Sequence, residues 1–311
     1  MADLTAARLN NLQTRLSNLY GNGSSQTGYG QSVTSAQVVV GTTATAEHLN
    51  SIFVDMVNAR MHQTGISPSP SEIAPVTQNL NVIADSTSYT INASGITITD
   101  PQGAVKGLTD FESLMTQLES DKFLMDSSQA SLEVGTTSER TSQWNGVINH
   151  EFKVDFETMD ARRHFFNAGG AIRISASNTS SSTPKGRDWT ALLSEVGTVS
   201  FNHNSTSTNN TGIGQPVGNY NLTSSYVRVY QKVGQGSYSG IYAGNLLSID
   251  AKELDDTTIQ FRIQFNDIAN DNLVDNNIDG YLTTTIQHYR ADTSNVTVNA
   301  PTYIPVTALT A

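Results

Sequence analysis

Six residues, Asp275-Asn276-Asn277-Ile278-Asp279-Gly280, carry the one spacing in this chain that could hold a metal ion. Oxygen donors at loop positions 1, 3 and 5 followed by Gly match the opening of a calcium loop, with Asp275, Asn277 and Asp279 as ligands. The position where a bidentate Glu should close the shell is Ile286, although Asp267, Asp271 and Asn272 lie upstream. Asn and Asp also suit tight turns, so a polar connection between strands is the favoured reading and calcium the minor one. No resident cofactor is expected otherwise.

Nucleophilic chemistry finds no frame. The nearest approach to a Gly-x-Ser-x-Gly elbow, Gly236-Ser237-Tyr238-Ser239-Gly240, has Tyr where the serine belongs. Gly234-Gln235-Gly236 lacks the continuation and the strand–helix setting of a dinucleotide site. His48, His62, His150, His164, His203 and His288 form no close ligand pair and read as structural histidines. Asp255-Asp256 could serve glycoside hydrolysis only if the fold set a second carboxylate at the right distance. Trp144, Trp189, Phe165 and Phe166 could cover a sugar face, yet core packing suits them better. Arg162-Arg163-His164 is the densest basic cluster and reads as an ion-pairing site. The expectation is therefore a protein without catalytic residues.

The chain has 311 residues and a net charge of -11, from 17 Lys and Arg against 28 Asp and Glu. Such a surface repels phosphate backbones, so nucleic acid is not an expected partner. Mean hydropathy is -0.29 and no long apolar run occurs, so no transmembrane helix and no membrane partner are expected. Met1-Ala2-Asp3-Leu4 does not begin like a secretory signal. The absence of cysteine removes disulfides and thiolate sites together.

Helical periodicity is confined to the first third. Leu9, Leu12, Leu16 and Leu19 form a narrow seam ended by Gly21. Too short for an isolated coiled coil, it must pack on its own body or on sister chains. Thr45 caps a second helix whose face is Leu49, Ile52, Phe53, Met56 and Val57, closed by Gly65. Thr109-Asp110-Phe111-Glu112 opens a third, with Phe111, Leu114, Met115 and Leu118 aligned. Short strands are expected at 38–40, 88–91 and 96–99, and a Ser-Pro connector at 67–71. A boundary is placed in 126–142, giving an N-terminal α+β docking region over 1–130 and a β domain over 131–311. There 152–156, 172–176, 226–230, 259–265 and 282–286 alternate with period 2. That pattern gives each strand one buried and one wet face, and predicts a mainly β, antiparallel, jelly-roll-like sandwich. A short helix is expected at 188–193 and a long polar loop at 202–220.

The stretch Asp160-Ala161-Arg162-Arg163-His164-Phe165-Phe166-Asn167-Ala168-Gly169-Gly170-Ala171-Ile172-Arg173-Ile174 resembles a segment of virion structural proteins of tailed bacteriophages. Lys185–Leu193 and Gly197–Phe201 keep the same order, and the segment from Tyr29-Gly30-Gln31-Ser32 through the helix ending Asn58–Gly65 looks like these proteins too, especially those of marine cyanobacterial myophages. The resemblance covers about two thirds of the chain in patches. It implies a component of the neck, tail, baseplate or fibre attachment, assembled in the host cytoplasm, localised in the virion and carrying no transferable catalytic residue. It also implies a homo-oligomer, for which a trimer is favoured, docked on other virion proteins through Leu9, Leu12, Leu16, Leu19, Leu49, Ile52, Phe53 and Met56. A receptor-binding module for a host surface glycan is the alternative.

Overall fold

The computed structural model describes residues 6–22, 27–39, 41–42, 44–67, 91–93, 96–98, 108–268 and 277–309. Expected strand residues 88–90, the Ser-Pro connector from 68 onward and Asp275 lie outside them. The chain falls into two compact units that are not consecutive blocks. The first holds Met1–Ala130 with Arg163–Gly169 and Ala291–Val298; the second holds Ser131–Arg162, Gly170–Arg290 and Asn299–Ala311. Two short excursions thus return to the first unit, which a single cut in the sequence does not foresee.

Three helices build the first unit: α1 (Ala6–Tyr20), α2 (Ala46–Thr64) and α3 (Leu108–Ser120). Thr45 caps α2 in a capping box with His48, and Gly65 closes it in the left-handed conformation. Helix α3 starts at Leu108, so Thr109 lies inside it rather than before it. Each helix packs against the other two. Arg8 pairs with Glu112 at 2.8 Å and Arg15 with Glu119 at 2.7 Å, tying α1 to α3 beside their shared apolar contact. A short hairpin, β1 (Ile91–Ala93) with β2 (Ile96–Ile98), pairs antiparallel. Residues 38 and 39 form no strand: the Asn10 side chain accepts the Val38 N–H at 2.7 Å and donates to its carbonyl at 3.0 Å, in place of a ladder.

The second unit is mainly β, with two antiparallel sheets. Its strands are β3 (Ala130–Arg140), β4 (Val147–Asp155), β5 (Ala171–Thr179), β6 (Thr198–Phe201), β7 (Thr206–Thr208), β8 (Ile213–Gly214), β9 (Val227–Val233), β10 (Leu246–Glu253), β11 (Thr258–Asn266), β12 (Tyr281–Ala291) and β13 (Thr302–Thr307). One sheet runs β13-β4-β11-β10-β9-β8 and the other β3-β12-β5-β6-β7. Helix α4 (Met159–Asn167) precedes β5, and α5 (Pro184–Val196) follows it. Every strand expected from period-2 alternation is present. Phe152, Val154, Ile259, Phe261, Ile263 and Phe265 from one sheet are buried, as are Ile172, Ile174, Leu282 and Ile286 from the other. Phe201 meets Phe261 edge-on at 5.1 Å, and Thr284 Oγ1 lies 2.8 Å from His150 Nδ1, so the two sheets touch. The polar stretch 202–220 is not an open loop. It holds β7, β8 and a turn at Asn219–Asn221, with Thr206 donating to the Gln215 carbonyl and Asn219 to that of Asn202.

Candidate functional site

The eight side chains expected to dock on other proteins lie in the first unit. Leu12, Leu16, Ile52 and Met56 are fully buried, Leu9, Leu19 and Leu49 nearly so, and Phe53 is half-buried. They pack with Phe111, Leu114, Met115 and Leu118 of α3, which are buried as well. Area already covered within one chain is not offered to a second. Within one chain seven of them belong to the core of the first unit. Asp55 reinforces this closure: its buried carboxylate accepts from the Thr34 and Ser35 amides at 3.0 and 2.9 Å.

The two candidate calcium residues that are described differ. Asn277 is exposed, whereas Asp279 is buried with both carboxylate oxygens engaged. Ser182 donates its N–H at 2.7 Å and its hydroxyl at 2.6 Å to one oxygen, and the Thr183 hydroxyl donates at 2.7 Å to the other. Burial opposes ionisation of Asp279, yet these donors outweigh it and the carboxyl is pushed down to about 2. This carboxylate anchors the residues that lead into α5. Among the described residues no group of three His, Asp or Glu side chains is arranged to hold a metal ion.

Around the N-terminus of α5 the polar groups are spent on structure. Thr183 caps the helix through the Gly186 amide at 3.1 Å, with Pro184 in the first turn. Lys185 Nζ sits 2.6 Å from Asp267 Oδ2, both side chains without solvent exposure. A pair so enclosed has no path for a substrate, and removal of either partner would strand the other charge. Asn178 donates to the carbonyls of Gly186 and Asp279 at 3.1 and 3.0 Å.

The remaining candidates resolve in the same direction. Trp189 is fully buried, with Trp144 edge-on at 5.0 Å and Phe265 at 6.1 Å, so neither indole offers a sugar platform. Phe165 and Phe166 are buried in the first unit. Arg162 pairs with Glu253 at 2.8 Å and donates to Asn219 at 2.7 Å. The Asp255 carboxylate accepts the Thr257 and Thr258 amides, which makes it a turn residue. Burial pushes His62 and His150 down to about 4 and lowers His164, His203 and His288 too. A histidine held neutral by enclosure is a packing residue rather than a proton shuttle at neutral pH.

What stays open is a strand edge. Each sheet of the second unit has two edges, and among the described residues three of those four are blunted by known devices. β13 carries Pro305 and a register break before Thr307; β7 is three residues long and β8 two. The fourth, β3, runs eleven residues without proline, and Leu132 and Val134 on it are 48% and 60% exposed. The alternation Leu132-Glu133-Val134 was the available signal, masked because β3 falls inside the expected linker. A second exposed feature is the loop 234–244, which carries Tyr238. No protein-family model, no curated protein and no solved structure matches the chain.

Proposed function

We propose that this chain is a non-catalytic structural component of a tailed-phage virion that works by association with further copies of itself and with neighbouring virion proteins. The single observation that carries the association is the long, proline-free edge of β3 with exposed Leu132 and Val134. An eleven-residue edge leaves a row of backbone donors and acceptors for another strand, and the flanking Leu132 and Val134 supply apolar area beside it. The other three edges of the second unit's sheets and the three-residue hairpin strands are short or interrupted among the described residues, so the complement proposed for β3 is β3 of a second copy. Such a contact is isologous and two-fold, and it closes after two copies, which departs from the trimer that the resemblance favours. The virion setting rests on the resemblance at 160–174, which maps onto α4, its following turn and β5. The two sheets are read as layers of an antiparallel sandwich. Their jelly-roll-like winding belongs to the same reading, because the chain passes repeatedly between them.

The test is solution mass by light scattering on the native chain and on Leu132→Lys/Val134→Lys, two exposed positions whose change leaves the core untouched. The native chain is expected at twice its 33.5 kDa and the variant as a monomer with an unchanged melting midpoint. A native monomer at the highest soluble concentration, or an undiminished oligomer from the double variant, refutes the edge contact. The virion setting is tested separately: the chain should be recovered in fixed stoichiometry from purified particles.

A further inference from the structure

A groove of about 510 Å³ lies in the second unit, between the outer face of α5 and the loop 234–244. Arg187, Thr190, Ala191 and Ser194 recur at helical spacing and form its floor, and Ser181 and Tyr238 stand at its sides. Tyr238 keeps 53% of its surface in solvent, although the backbone that carries it is held firmly. The Asp188 carboxylate, itself 5% exposed, accepts the Tyr238 amide at 2.6 Å and the Ser239 amide at 3.2 Å, and the Ser239 hydroxyl as well. The Ser237 hydroxyl donates to Glu195 at 2.6 Å. Gly236 and Gly240 take φ values of 65° and 77°, a backbone that side-chain-bearing residues resist, and the Gly240 amide closes on the Gly236 carbonyl. The loop is thus fixed before any ligand arrives, which lowers the ordering cost of binding.

Arg187 supplies the charge. Its guanidinium lies 5.1 Å from the Tyr238 ring centre and donates to the Tyr238 hydroxyl, and it meets no carboxylate among the described residues. In a chain of net charge -11 such an uncompensated cation marks a local site for an anion. A ring for an apolar face, the Ser194 hydroxyl for a polar edge and a planar fork for a carboxylate suit an acidic sugar.

We propose that this groove binds a pyranose residue that carries a carboxylate, a uronic acid unit of a polysaccharide. The sugar ring covers the exposed part of Tyr238, its carboxylate pairs with Arg187, and a hydroxyl faces Ser194, while the Thr190 hydroxyl stays bound to the Asn178 carbonyl at 2.8 Å. This goes beyond the association role of β3 and does not depend on it.

The probe is a hexameric oligogalacturonate, with maltohexaose as its neutral counterpart, each titrated calorimetrically into the native chain. Binding of the acidic hexamer is expected, with maltohexaose at least about tenfold weaker, since a charge-assisted hydrogen bond is lost. Arg187→Gln and Tyr238→Ala, both exposed, should each weaken the acidic hexamer by about tenfold or more at an unchanged melting midpoint. Tyr238→Phe should retain it, because the ring and not the hydroxyl meets the sugar. No binding of oligogalacturonate, equal affinity for the neutral hexamer, or full binding by Arg187→Gln and Tyr238→Ala overturns the assignment.

Discussion

Acid should loosen this protein through histidines that titrate in the wrong direction for a surface group. His62 is fully buried in the first unit, its ring edge-on to Tyr29 at 4.8 Å. Burial dominates and holds its pKa at about 4, against a smaller opposing hydrogen-bond contribution from the Ala168 backbone. In the unfolded chain the ordinary value is near 6.5. Between those values the unfolded state binds the proton and the folded state does not, so stability is complete above about pH 6.5 and falls as pH drops toward 4. At pH 5 the loss from this one group is about 2 kcal/mol relative to pH 8. The perturbation is His62→Met, an unbranched side chain that fills the site without titrating. Denaturant unfolding followed by helical circular dichroism should place the variant within about 1 kcal/mol of the native chain at pH 8. At pH 5 the gap should move by about 2 kcal/mol in favour of the variant. Other groups titrate equally in both proteins and cancel from the difference. A gap that is the same at both pH values would refute the assignment of a buried neutral imidazole. Both tryptophans lie in the second unit, so fluorescence reads the parallel response of His150 there.

Two further outcomes follow from burial. Lys185→Met alone leaves Asp267 charged and enclosed and should cost about 3–5 kcal/mol, whereas Lys185→Met with Asp267→Leu should recover most of that loss; a double-mutant cycle by chemical denaturation measures it. Leu12→Ala should destabilise the first unit by about 2–5 kcal/mol, because its side chain is fully enclosed. The accompanying measurement is solution mass: dissociation without loss of stability would restore Leu12 to an intermolecular role.

The amino-acid sequence on its own determined the periodic elements. Strict alternation at 152–156 and 259–265 survives any neighbour, because only a two-sided strand satisfies it. Gly21 and Gly65 end helices through local backbone geometry, and the structure keeps both. Strand β10 escaped because Leu247-Ser248-Ile249-Asp250-Ala251 is buried on both faces and loses the alternation. Pro305 hid β13, and an edge position is what makes that proline tolerable. The tertiary structure alone decided which surface closes which face. An apolar seam at Leu9–Leu19 is equally satisfied by a sister chain or by α2 and α3, and only the packing selects the latter. Asp279 reads alike as ligand, turn former or anchor until Ser182 and Thr183 are brought to its oxygens across nearly a hundred residues. Tyr238 and Arg187, 51 residues apart, give no pattern in sequence. Their meeting depends on Asp188 fixing a distant loop, a long-range contact that no local period encodes.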